Sequence, residues 1–168
     1  MSQTTLYIMC GFPYSGKSIF SREVAAKTSI VRVSFDDIWV ELATKIPDLT
    51  YDMALPYIEK QITGYIEKGR SVIYDSTNLK ADHRMSLVYL AEKVGAKGVV
   101  VYIPTTVEET LVRRDKSAKD GTHHLVDQEN VDKAFEHLEV PADAVVLASE
   151  ENKERFLKDL VLMFPKNY

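Results

Sequence analysis

Five short apolar runs alternate with stretches whose apolar residues recur at helical spacing. The first run, Leu6-Tyr7-Ile8-Met9-Cys10, predicts a buried strand. A Gly-rich turn follows it, and then a helix over residues 17–27. A second strand is expected at 30–35. Leu55, Ile58, Ile62 and Ile66 lie on one face of a helix over 51–68 that stops at Gly69. A third strand covers 71–75. The next helix, 81–94, carries Leu87, Leu90, Ala91 and Val94 and ends at Gly95. A fourth strand at 98–103 is halted by Pro104, and Thr106 with Glu109 forms a capping box that opens another helix. Val131, Ala134, Phe135 and Leu138 mark a helix closed by Pro141. A fifth strand is expected at 144–148. Ser149 then caps a last helix whose apolar face is Phe156, Leu157, Leu160, Val161 and Phe164.

Strands that are apolar throughout have no solvent face. Separated by amphipathic helices, they imply a parallel sheet covered on both sides, an α/β three-layer sandwich. The chain has 168 residues, the size of a single domain. No repeat, low-complexity tract or Gly/Ser/Pro-rich linker divides it. Composition is ordinary for a globular protein, with 45% apolar and 27% charged residues. The longest apolar runs are far short of a membrane span. The net charge of −4 lowers the expectation of a dedicated nucleic-acid binder without excluding a local basic groove. One cysteine, Cys10, permits no internal disulfide, and Met1–Thr5 has no charged leader segment. A reduced, cytoplasmic protein is expected.

The strongest chemical signal is Gly11-Phe12-Pro13-Tyr14-Ser15-Gly16-Lys17-Ser18, which fills every fixed position of G-x-x-x-x-G-K-[ST] between a predicted strand and a predicted helix. Glycines such as Gly11 and Gly16 let the loop turn, so that its amides, through Tyr14 and Ser15, point inward at phosphate. The helix start adds partial positive charge. Lys17 supplies a cation for β- and γ-phosphates, and the Ser18 hydroxyl suits Mg²⁺. No N/T-K-x-D motif for guanine is present, and no strand ends in Asp-Glu. Transfer of the phosphoryl group to an acceptor is therefore favoured over hydrolysis.

Three further clusters fall at strand ends, where open α/β sheets bind ligands. Asp36 and Asp37 follow the second strand. Asp36 suits the base that orients an acceptor hydroxyl; Asp37 suits the acceptor site or, with Ser34, a helix cap. Asp75-Ser76-Thr77-Asn78 closes the third strand. Asp75 suits a Mg²⁺-bound water or a neighbouring basic residue, and Thr77 and Asn78 suit the acceptor or a polar turn. Arg113-Arg114-Asp115-Lys116-Ser117-Ala118-Lys119 places four basic residues in seven. As a lid over about 113–126 this run would neutralise the transferring group and exclude water, with Arg113 and Arg114 on phosphate oxygens. His123 and His124 are expected on the lid surface without a metal role. Trp39, Tyr51 and Tyr57 are expected to pack helices rather than line a pocket.

Together, the loop, Asp36-Asp37, Asp75-Ser76-Thr77-Asn78-Leu79 and Leu111-Val112-Arg113-Arg114 resemble the P-loop kinases, most nearly the phage polynucleotide 5′-kinases and their small bacterial relatives. The resemblance spans roughly residues 6–138. It implies a P-loop nucleoside triphosphate hydrolase fold with sheet order 2-3-1-4-5 and a helical lid. It also implies ATP and Mg²⁺, Asp36 as general base, and Lys17 and Arg114 as stabilisers of the transition state. Tyr14 stands where that family has a glycine, and Trp39 where it has an arginine that grips the substrate 3′-phosphate. Its later lid arginine falls near Lys119-Asp120. The reading is an ATP- and Mg²⁺-dependent kinase acting on a hydroxyl of a small-molecule or nucleotide-type acceptor. A polynucleotide 5′-hydroxyl kinase is the alternative within enzymes, and an ATP-sensing module the alternative outside them.

Overall fold

A computed structural model describes residues 3–121 and 126–166. Strands β1 (Thr5–Cys10), β2 (Val31–Ser34), β3 (Val72–Asp75), β4 (Lys97–Tyr102) and β5 (Val145–Val146) form one parallel sheet in the order β2-β3-β1-β4-β5. Helices are α1 (Lys17–Lys27), α2 (Phe35–Ala43), α3 (Tyr51–Ile66), α4 (Ala81–Lys93), α5 (Val107–Asp120), α6 (Gln128–His137) and α7 (Glu150–Met163). The order of strands is the one implied by the P-loop resemblance.

Alternation along β1 builds two cores. Leu6 and Ile8 face one side, where they meet Ile58 and Ile62 of α3, Leu42 of α2 and Ala91 of α4. Tyr7 and Met9 face the other, against Phe20 and Val24 of α1 and Leu157 and Leu160 of α7. Both faces being covered explains why β1 and β3 are buried at every position. On the second face Tyr7 meets Phe156 and Phe164 edge-on, with centroids 6.0 and 6.2 Å away.

Two elements depart from the sequence reading. The second strand ends at Ser34, and Phe35 opens α2, a helix the reading did not place. Ser34 does cap it, accepting a hydrogen bond from the Asp37 amide. The fifth strand is only two residues long, because it is an edge strand held by pairing with Val101 and Tyr102 alone. The basic run is helical, as the resemblance implies: residues 113–120 continue α5 to a left-handed Gly121. The expected capping box, Thr106 with Glu109, is present.

Gly98 marks a close approach of α4 to the sheet. A Cβ there would lie 2.8 Å from the Val88 Cα of α4. Gly98→Ala should push α4 outward and cost about 1–3 kcal/mol, as overpacking does. Urea denaturation checks this; an unchanged midpoint would refute it.

Candidate functional site

The loop between β1 and α1 is shaped by backbone that few residues tolerate. Gly11 has φ 151°, and a Cβ there would lie 2.7 Å from the Ile103 carbonyl oxygen. Gly16 is left-handed at φ 97°. Tyr14 is left-handed too, at φ 61°, so a tyrosine occupies the conformation a glycine would take with less strain. Two contacts hold it: its hydroxyl accepts from the Val126 amide at 2.9 Å, and its carbonyl accepts from Arg113 Nη1 at 2.9 Å. Phe12 meets Phe135 of α6 edge-on at 4.9 Å, and the Gly11 amide donates to the Thr77 carbonyl. The loop is thus tied to β3, α5 and α6.

Helix starts around the sheet are capped, with one exception among the described residues. Ser34, Thr50, Thr106, Asp127 and Ser149 cap α2, α3, α5, α6 and α7. The α4 start receives Glu139 Oε2 on the Ala81 amide. The α1 start has Gly16 at its cap and no side-chain hydrogen bond. Its amides and partial positive charge face the loop.

Lys17 lies in this setting and is buried, 6% exposed. Its Nζ donates to the Phe12 carbonyl and to Ser15 Oγ at 3.1 Å. Burial pushes its pKa down to about 8, against the opposing pull of Asp75, Cys10 and Asp36. Among the described residues its hydrogen-bond partners are both neutral. The site is therefore cationic and short of an anion, which fits a bound polyphosphate. Ser18 follows at half exposure.

Opposite the loop, Arg32 organises the carboxylates. Its Nη2 and Nε reach Asp75 Oδ2 at 2.6 and 3.1 Å, and its Nη1 reaches Asp37 Oδ2 at 2.8 Å. Ser21 Oγ of α1 also donates to Asp75 at 3.0 Å. Asp75 Oδ2 is thus paired with Arg32 and Ser21. Sequence reasoning missed Arg32. The signal was there: a lone arginine inside the apolar strand Val31-Arg32-Val33-Ser34 requires a buried acid partner.

Asp36 is exposed at the start of α2 and within electrostatic range of Lys17 and Tyr74. Asn78 departs from its expected role on the acceptor. Its side chain is buried and donates to the Met9 carbonyl at 2.7 Å, with the residue left-handed at φ 42°. Thr77 is half-buried beside it. Arg113 touches the loop backbone as described. Arg114 bonds Gln128 Oε1 at 2.7 Å and the Val126 carbonyl at 3.3 Å, joining α5 to α6. Arg113 also lies within electrostatic range of Glu109, one turn back on α5. His123 and His124 lie outside the described residues.

Among the described residues no group of three or more His, Cys, Asp or Glu is placed to hold a metal. Mg²⁺ bound chiefly through phosphates needs only one or two protein oxygens, and Ser18 fits that demand. Arg84 is a second buried cation. It donates to the carbonyls of Asn78, Leu79 and Glu139 at 2.6–2.8 Å, locking the β3–α4 turn to the segment after α6.

The profile of a family described as "AAA domain" matches residues 6–141. The chain belongs to this family. No curated protein matches it in sequence. Solved structures share the fold of this family member. Kti12 from Chaetomium thermophilum, in complex with ADP-AlF3, superposes with a TM-score of 0.74 at 15% identity over 96% of this chain and 100% of that one. The APS kinase CysC of Mycobacterium tuberculosis, in complex with AMPPNP and APS, gives 0.71 at 15% identity over 97% and 98%. Pnkp1 in an RNA repair complex gives 0.67 at 24% identity, but the match covers 82% of this chain and only 45% of that one.

The buried ammonium sets a test. The folded pKa of Lys17, about 8, lies below its ordinary 10.5. Between those values the unfolded chain binds more protons, so stability contributed by this group rises with pH. Lys17→Met should therefore be more stable than the parent at pH 7, with the gain shrinking as pH climbs from 8 towards 10. Thermal melts across that range check it; a pH-independent difference, or a loss at pH 7, would contradict the burial cost.

Proposed function

We propose that this protein is an ATP- and Mg²⁺-dependent phosphotransferase that moves a γ-phosphoryl group to a hydroxyl. The observation that carries this reading is Lys17: an ammonium sunk under an uncapped helix start, hydrogen-bonded among the described residues to neutral partners, with the exposed Asp36 within electrostatic range. The kinases among its structural neighbours support the reading. Bound Mg²⁺, with Ser18 as a protein ligand, would draw charge from the β- and γ-phosphate oxygens.

In this reading the loop amides and Lys17 hold the triphosphate tail. Asp36 accepts the proton of the acceptor hydroxyl while its oxygen bonds to the γ-phosphorus and the bond to the bridging oxygen breaks, leaving ADP. Arg32 fixes the frame around Asp36 by clamping Asp37, on the next residue, to Asp75 on β3. Arg114 and Arg113 close over the site when α5 shifts, exchanging Gln128 and the Tyr14 carbonyl for phosphate oxygens. Arg113 resting on the loop backbone makes that closure sensitive to what the loop holds.

Two variants separate the roles. Lys17→Met should abolish measurable ATP binding. Asp36→Asn should bind ATP within about threefold of the parent yet transfer about 10²–10⁴-fold more slowly. Calorimetry for binding and radiolabelled transfer to a panel of hydroxyl acceptors check both. Equal loss of binding in the two variants would overturn the assignment.

A further inference from the structure

A lysine in the first turn of a helix faces backbone amides that already carry positive charge. Lys153 stands there: its amide donates to the carbonyl of Ser149, the cap of α7. Its ammonium does not turn to open solvent. The Lys153 side chain is only 21% exposed, and Nζ lies 3.8 Å from the point a Cβ on Gly16 would occupy. Gly16 is the cap position of α1, which has no side-chain cap and no acid in its first turn. An ammonium from α7 thus rests against the phosphate loop, beside a second positive helix end.

Packing fixes this placement. Phe20, one turn after Gly16, stacks on Phe156, one turn after Lys153, with centroids 6.2 Å apart and planes 17° from parallel. Phe156 also meets Tyr7 of β1 edge-on. These rings belong to the core between α1, α7 and the sheet, and they hold the two helix starts level. The counter-charge, by contrast, is loosely held. Lys153 Nζ donates to Glu150 Oε1 at 2.7 Å, but the Glu150 side chain is 83% exposed. A pair of this kind is weak, and a phosphate oxygen makes the stronger partner.

Position says which phosphates are in reach. The loop follows β1, the middle strand; β3 and β2 lie to one side of it, β4 and β5 to the other. Asp36 follows β2 and Lys153 follows β5. In the phosphotransferase reading the γ-phosphate faces Asp36, so the rest of the nucleotide runs towards the α7 flank.

We propose that Lys153 is a second nucleotide-binding ammonium, which leaves Glu150 to contact α- and β-phosphate oxygens, the part of ATP that remains as ADP. This rests on the phosphotransferase reading. Lys153 lies outside the G-x-x-x-x-G-K-[ST] pattern and reaches the loop only through the packing of α7 on α1. Glu150 holds the ammonium until phosphate replaces it.

Calorimetry of the full chain with ATP and with ADP, each with Mg²⁺, tests this. Lys153→Gln should weaken both nucleotides about tenfold and to the same degree, because the contact is to phosphates they share. Lys153→Arg keeps the charge and should stay within about threefold of the parent. Glu150→Gln removes the competing acid and should tighten both by about two- to threefold. Lys158→Gln takes the same charge from an exposed position further along α7 and should change neither by more than about twofold. If Glu150 and Lys153 merely stabilised α7, both substitutions would act in the same direction. No loss in Lys153→Gln, a loss confined to ATP, an equal loss in Lys158→Gln, or a Glu150→Gln protein that binds no more tightly would each overturn the proposal. Any of these, with the parent binding both nucleotides, leaves the phosphotransferase reading standing. A parent that binds neither sinks that reading and this inference with it.

Discussion

Taking an ammonium out of water costs several kcal/mol unless charge or hydrogen bonds compensate. Lys17 carries that cost with one carbonyl and one hydroxyl as its partners. Everything around it follows from keeping it there. Gly11 and Gly16 supply the turns, Tyr14 accepts a strained conformation, and the α1 start is left without a cap. The sheet that carries them is buried on both faces, which makes the platform rigid. A site that holds a desolvated cation this way has its charge in place before an anion arrives.

The carboxylates opposite are arranged by the converse logic. Asp75 is buried and would be costly alone; Arg32 and Ser21 satisfy it. The same guanidinium reaches Asp37, so a buried pair and an exposed acid share one cation. Along α2, Asp37 is tethered to Arg32, Asp36 lies at the surface, and Phe35 and Trp39 pack against the core.

Much of this was legible in the sequence. Apolar strands and amphipathic helices have distinct periods, so the element order and the covered parallel sheet could be read directly. The phosphate loop has fixed residue types because its backbone does. What escaped depends on pairing across the fold. Helix α2 was missed because its period is short and Trp39 and Val40 blur its face, although Ser34 marked its start. Asn78 looks like a binding residue in sequence, yet its amide is consumed by the Met9 carbonyl of β1, sixty-nine residues away. Arg84 belongs to no motif, and its three carbonyl partners lie across the fold. The basic run, expected as a helical lid, is carried by α5 to Gly121.

The central claim is that residues 11–18 receive a triphosphate through main-chain amides and a desolvated lysine. The most direct test is isothermal titration calorimetry of ATP with Mg²⁺ at pH 8, in buffers of different ionisation enthalpy. With its pKa about 8, Lys17 is half-protonated before binding, and the arriving anion restores the missing charge. Uptake of about half a proton per ATP is expected, falling towards zero at pH 6.5. Failure of ATP to bind, or binding at pH 8 with no proton taken up, would contradict the account.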